Sequence, residues 1–276
     1  MLAILPEINY FNIVGFLVPT IVIFVMAGAL ADILILVIET KRLSLDAATT
    51  LMMYLIYFVL GNLLSRGLFI FSRIYLHNDF AYQEKVFYFY TAQKVSIGKL
   101  IGLALAVLIG AYLSGRIKDI YKYYDAFFLG LTATLFLRIG DALNHYHPGK
   151  ITSPDWGVFY LGSYRHEPSL YEAVSLTVLL IFAWLVRKKI KKPGFLSLII
   201  LAWTSLSRFI TDFFRNNDLP LKNVLYENSF YSTNYHLNSW LSLNQLVYLM
   251  IFIASLGVMI YILKTRGSIF QDPKID

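Results

Sequence analysis

The sequence predicts an all-α membrane protein of about seven transmembrane helices, with a polar cavity and long extracytoplasmic loops. Three observations carry that prediction. The composition is too apolar for a water-soluble domain, most of the hydrophobic runs are long enough to cross a bilayer, and the basic residues gather in alternate gaps between those runs. Of the 276 residues, 58% are hydrophobic and 16% aromatic, and the mean hydropathy is +0.61. Each crossing takes about 20 residues. One helical bundle therefore accounts for the whole length, and residues 1–276 read as a single transmembrane domain.

The runs fall at roughly 12 to 38, 48 to 70, 95 to 114, 124 to 142, 172 to 187, 195 to 214 and 243 to 264. The first has no preceding basic segment, and no small-x-small cleavage pattern clearly ends it within signal-peptide length, so it reads as a retained span. The fifth abuts the basic run Arg187, Lys188, Lys189, Lys191 and Lys192, and the sixth begins right after Pro193 and Gly194.

A net charge of +7 raises the question of nucleic acid, but the charges sit between apolar runs and so report topology. One set of gaps holds Lys41, Arg42, Arg116, Lys118, Lys122, the run at 187–192, Lys264, Arg266 and Lys274, 13 basic residues in short segments. The opposite set holds Arg73, Lys85, Lys94, Lys150, Arg165, Arg215 and Lys222, 7 residues spread over much longer ones. The positive-inside rule puts the N-terminus outside and the C-terminus in the cytoplasm. The long outward loops, at about 71 to 94, 143 to 171 and 215 to 242, are rich in Tyr, Phe and Trp, which suits the headgroup layer. There is no cysteine, which excludes disulfides, thiolate metal sites and a cysteine nucleophile.

Arg66, Lys99, Arg138 and Arg208 remain, within or at the ends of spans, together with Asp32, Asp141 and Asp212. A lone charge at bilayer depth costs a few kcal/mol, so each such residue is a functional candidate. Asp141 lies one turn beyond Arg138, and Arg208 with Asp212 forms an i, i+4 pair on one helix face. Arginines converging at headgroup depth make a natural phosphate clamp, because the guanidinium stays charged and offers a fork to phosphate oxygens. The plainer readings are that Arg208 and Asp212 neutralise each other and that Arg66 snorkels to the interface.

The stretch RIGDALNHYHPGKITSPDWGVFYLGSYRHEPSLYE, residues 138–172, is densely polar and reads as a loop entering from the outer face. His145, His147 and His166 are candidates for general bases, since imidazole titrates near neutral pH. The spacing of His145 and His147 fixes no third ligand, so no metal is expected.

These residues resemble the bacterial prolipoprotein diacylglyceryl transferases, seven-span enzymes of the inner membrane. Their signature, approximately GRxGNFxNxE followed by a Gly and PWG, is matched here at Arg138, Gly140, Asn144, Gly149, Pro154, Trp156 and Gly157. RHEPSLYE (165–172), with Arg165, His166, Tyr171 and Glu172, is similar to the family's RHPSQLYE. SRFITDFFR (207–215) is similar to FRFxxEFFR, with Arg208, Asp212 and Arg215 in register. Weaker likenesses are GNLLSRGLFIF around Arg66 and LSLNQ at 241–245.

The resemblance implies transfer of a diacylglyceryl group from phosphatidylglycerol to the lipobox cysteine of a prolipoprotein, part of lipoprotein biogenesis. It implies no cofactor and no nucleic acid. The partners would be phosphatidylglycerol, a prolipoprotein signal peptide and the lipid bilayer, and the enzyme would be a monomer in the bacterial inner membrane. Arg138 and Arg208 would hold the phosphate, with Arg66, Asn144, Gly149, Arg165, His166, Tyr171, Glu172, Asp212 and Arg215 around the substrate. The chain also departs from the family. Where the family has His-Gly-Gly-Leu it has Ile97, Gly98, Lys99 and Leu100, the signature's first Asn is Asp141, and its acidic residue falls at Tyr146. Lys99, His145 and His147 are then candidates for the base, and Asp141 for the missing acid. The alternatives are a related transferase with a different acceptor, or a lipid-binding paralogue without catalysis.

Overall fold

In the computed structural model, described over residues 8–71, 96–145, 148–160, 162–215, 236–238 and 241–266, eight α-helices carry nearly all the regular structure. They are α1 (Thr20–Arg42), α2 (Ala47–Phe71), α3 (Ser96–Leu113), α4 (Ile120–Leu131), α5 (Leu135–Leu143), α6 (Pro168–Val186), α7 (Phe195–Thr211) and α8 (Leu243–Arg266). Three two-stranded antiparallel hairpins accompany them: β1 (Tyr10–Ile13) with β2 (Phe16–Pro19), β3 (Val158–Tyr160) with β4 (Ser163–Arg165), and β5 (His236–Asn238) with β6 (Leu241–Ser242). Of the three long loops expected from sequence, the residues at 72–95 and most of 216–242 lie outside the described ones.

Six stretches among the described residues are long and apolar enough to cross a membrane: Thr20–Arg42, Ala47–Leu68, Ile117–Leu143, Pro168–Val186, Phe195–Phe214 and Gln245–Thr265. The span expected at 95 to 114 is the shorter apolar helix Ile97–Leu113. The chain is therefore an all-α, multi-pass membrane protein. Large apolar side chains such as Met26, Leu30, Leu34, Phe58 and Ile253 are exposed on these helices, which is the surface that lipid tails cover.

Two boundaries differ from expectation for identifiable reasons. The first helix begins at Thr20, not near residue 12, because Tyr10–Pro19 folds as a hairpin turning at Val14 and Gly15, both at positive φ. The amide of Gly15 donates to Asn12 Oδ1 at 3.0 Å, which closes that turn. Hydropathy does not distinguish an apolar hairpin from an apolar helical turn. The fourth span is a composite, in which α4 passes through a 3₁₀ turn at Thr132–Thr134 into α5. There the Thr132 hydroxyl donates to the Leu129 carbonyl at 2.6 Å, a local bond that competes with the regular ladder.

The described residues form two compact units, one built from 37–71 and 96–127 and the other from those at 8–36, 128–145, 148–160, 162–215, 236–238 and 241–266. In the first, α2 and α3 pack backbone against backbone. A Cβ on Gly102 would lie 2.5 Å from Gly61 Cα, and one on Gly98 would run into Ser65. Such small-residue seams substitute in lipid for the hydrophobic drive that packs helices in water. Asp46 caps α2 through the Thr49 amide at 2.7 Å. In the second unit, the Asp32 carboxyl of α1 rests directly on Gly130 of α4, and α5, α6 and α7 pack together around the polar residues described next.

Candidate active site

Arg138 and Asp141 sit one turn apart on α5, and Nη1 of the arginine donates to Asp141 Oδ2 at 2.9 Å. Helix α6 starts at Pro168, a residue suited to the first turn because it lacks the amide that would go unbonded there. Four residues on, Glu172 is buried to 3% side-chain exposure. Three arginines from different parts of the chain meet on its carboxylate. Arg138 Nε approaches Oε2 at 2.8 Å, Arg208 Nη1 approaches Oε1 at 2.8 Å, and Arg215 Nη2 approaches Oε1 at 2.7 Å. The Thr211 hydroxyl adds a longer bond of 3.3 Å to the same oxygen.

The end of α7 determines which charges pair. The helix stops at Thr211 and continues as a 3₁₀ turn, Asp212–Phe214, before Arg215 becomes extended. With about three residues per turn, Asp212 faces Arg215 instead of Arg208. Arg215 Nε lies 3.0 Å from Asp212 Oδ1, an ion pair without directed hydrogen-bond geometry. The i, i+4 pairing of Arg208 with Asp212 expected from sequence gives way to these contacts, and Arg208 binds Glu172, 36 residues away in the chain. Burial works against the charge of Arg215, but Glu172 and Asp212 outweigh it and hold its proton more tightly than usual.

The cluster therefore holds three cations and three carboxylates. The arginine side chains keep 14–17% of their surface exposed, against 3% for Glu172. A guanidinium has five N–H donors, and the ion pairs occupy only one or two on each. The arrangement fixes the arginines rigidly by one shared carboxylate and leaves donors to take an anion.

The segment between α5 and α6 is tied onto this cluster. Gly149 pairs with Arg215 and Ile151 with Arg165 as isolated bridges, and Lys150 N–H donates to the Phe214 carbonyl at 2.9 Å. A Cβ at Gly149 would meet the Phe214 oxygen at 2.5 Å and the His166 oxygen at 2.6 Å, so only glycine fits. The buried Arg165 donates a long bond of 3.4 Å to the Gly149 carbonyl. His166 Nδ1 shares a 2.9 Å hydrogen bond with the Tyr171 hydroxyl, and both rings pack on Phe214. Burial, with Lys150 nearby, pushes the His166 pKa down.

Asn144 caps α5 and His145 follows it at φ +46°, in the left-handed region. His145 Nδ1 lies 3.0 Å from Glu167 Oε2, with both side chains buried, and its ring lies 4.9 Å from that of Tyr160. Burial pushes the Glu167 pKa up although His145 works against the shift. Thus Arg138, Asp141, Glu172, Arg208, Asp212 and Arg215 come together, and Asn144, His145, Gly149, Arg165, His166 and Tyr171 flank them. Arg66, buried to 3%, and the half-buried Lys99 belong to the other compact unit. His147 and Tyr146 lie outside the described residues. Sequence reasoning missed Glu167 and Thr211. Glu167 was within reach, as a further acidic residue inside a block already singled out.

Comparison with known proteins identifies the family. The profile of the prolipoprotein diacylglyceryl transferases matches residues 9–261. A phosphatidylglycerol–prolipoprotein diacylglyceryl transferase of Campylobacter jejuni is 35% identical over 136 residues, 47% of this chain and 48% of the relative. One from Wolinella succinogenes is 29% identical over 126 residues, 44% of this chain and 46% of the relative. One from Campylobacter lari is 27% identical over 189 residues, 66% and 64% respectively. The chain spans about half the length of the first two of these relatives. With the profile covering nearly the whole sequence, the chain belongs to the prolipoprotein diacylglyceryl transferase family.

Proposed function

We propose that this protein transfers the diacylglyceryl group of phosphatidylglycerol to the lipobox cysteine of a prolipoprotein. It works as one transferase domain and a monomer in the bacterial inner membrane, with its N-terminus outside and its C-terminus cytoplasmic. The observation that carries the reading is the meeting of Arg138, Arg208 and Arg215 on Glu172, with N–H donors to spare.

In the reaction the cysteine thiol loses its proton and the sulfur attacks the glycerol carbon that bears the phosphate ester. A C–S bond forms, the C–O bond breaks, and glycerol phosphate leaves with the bonding electrons. Negative charge grows on the phosphate oxygens as that bond breaks, and positioned guanidinium donors stabilise it there. Glu172 keeps the arginines in place beforehand, so little reorganisation is needed when the charge appears. Lys99, His145 and His147 remain the candidates for the group that takes the thiol proton.

The test is complementation. In a host depleted of its own transferase, this chain should restore lipid attachment to a reporter lipoprotein, and Arg138→Ala should abolish it. Well-inserted protein that gives no rescue would sink the proposal.

A further inference from the structure

Among the described residues, two ion-pair contacts join the α5 segment to the α6 segment. One is Arg138 with Glu172 inside the cluster, and the other is His145 with Glu167 at the helix ends, 3.0 Å apart with side chains 2% and 3% exposed. Glu167 has no part in the reaction written above, and the pair it forms with His145 is costly. It buries two titratable groups and holds His145 in a backbone region that non-glycine residues seldom enter. It also leaves Glu167 Oε1 without a hydrogen-bond partner among the described residues. Strain and burial of this kind persist where the surroundings enforce them, and they gather at working sites.

The signature GRxGNFxNxE ends in an acidic residue that falls at Tyr146, next to His145 in sequence. The block RHPSQLYE has proline where this chain's RHEPSLYE has Glu167, and the proline moves one place on, to the start of α6. The chain lacks an acid beside position 145 in sequence and has one beside His145 in space. Asp141 is a poorer replacement, because Arg138 already engages it at 2.9 Å.

We propose that Glu167 is a positioning residue that acts through His145 to hold the Arg138 end of α5 in line for the anion. This rests on reading the arginine cluster as a phosphate clamp. Helix-end electrostatics favour the arrangement, since Glu167 lies at the N-terminus of α6 and His145 just past the C-terminus of α5. The groups that face Glu167 are His145, the Ser169 amide and, at longer range, Asp141. Without the pair, α5 keeps the Arg138–Glu172 contact but loses the fixing of its last turn.

The full chain in phosphatidylcholine nanodiscs, titrated with glycerol phosphate, tests this. Glu167→Ala and His145→Ala should each weaken binding roughly tenfold or more, as small misplacements of a binding group do. Because the two residues act as a unit, the double variant should bind no worse than the poorer single. Glu167→Gln keeps an acceptor for the imidazole, and His145→Asn tolerates the left-handed backbone, so both should restore affinity to within about threefold of wild type. Wild-type affinity in Glu167→Ala overturns the proposal, as do losses that multiply in the double variant or a Glu167→Gln no better than Glu167→Ala. Transfer to a lipobox peptide from phosphatidylglycerol vesicles is measured alongside. A wild type that binds glycerol phosphate without transferring overturns the proposed function and leaves the positioning role to the binding data, whereas one that does not bind overturns both.

Discussion

Glu172 Oε1 is shared by Arg208 at 2.8 Å and Arg215 at 2.7 Å, so one buried oxygen fixes two cations separated by a helix end. Removing that carboxylate leaves three arginines with two counter-charges in a nearly dry setting. Glu172→Ala should destabilise the protein by about 3–5 kcal/mol, the usual result of stranding a buried charge. Glu172→Leu in an Arg208→Met, Arg215→Met background should recover part of that loss while abolishing anion binding. Thermal unfolding in detergent, read beside glycerol phosphate titration, separates the two effects. A Glu172→Ala protein as stable as wild type contradicts the account of the cluster.

Gly149 should be the least replaceable glycine of the second unit. Its Cβ would press on two carbonyl oxygens of backbone that the Arg215 bridge holds in place, so neither neighbour can yield cheaply. Gly149→Ala should cost about 1–3 kcal/mol by overpacking and weaken the anion site with it. Gly257→Ala on α8, where nothing lies within 4 Å, should be neutral or slightly stabilising. Equal melting temperatures for the two variants would contradict this packing.

Acid and base should affect the two flanking residues in opposite directions. Glu167 binds its proton more tightly folded than its ordinary 4.5, so its contribution is complete below that value and is lost as the pH rises through the raised one. His166 binds its proton less tightly than its ordinary 6.5, so its contribution is present above that value and fades as the pH falls. Relative to wild type, Glu167→Gln should gain stability as the pH rises and His166→Gln should gain it as the pH falls. Melting temperatures of the three proteins across that range decide the matter, and parallel curves would refute both assignments.

How much could be read beforehand depended on distance along the chain. The apolar runs and the short basic turns were legible because each is a local property, as was the placement of Asp141 one turn beyond Arg138. The hairpin at Tyr10–Pro19 was not, since its residues are as apolar as the helix that follows. Nor was the central place of Glu172, because its partners lie 34, 36 and 43 residues away and only the packing of α5, α6 and α7 brings them in. The pairing of Asp212 turned on a change of helical pitch that no side-chain pattern announces.

The six charges of the cluster are unevenly shared among the segments that carry them. Helix α5 brings Arg138 and Asp141, which cancel on one segment, whereas α6 brings the lone Glu172 and the end of α7 brings Arg208, Asp212 and Arg215, one positive charge in excess. A helix that enters the bilayer with an uncompensated charge is penalised until its counterpart arrives. During synthesis α6 and α7 are therefore poor candidates for separate insertion and good ones for entering as a hairpin, each neutralising the other. The cluster proposed to take a phosphate would first serve as a clasp in the assembly of its own membrane domain.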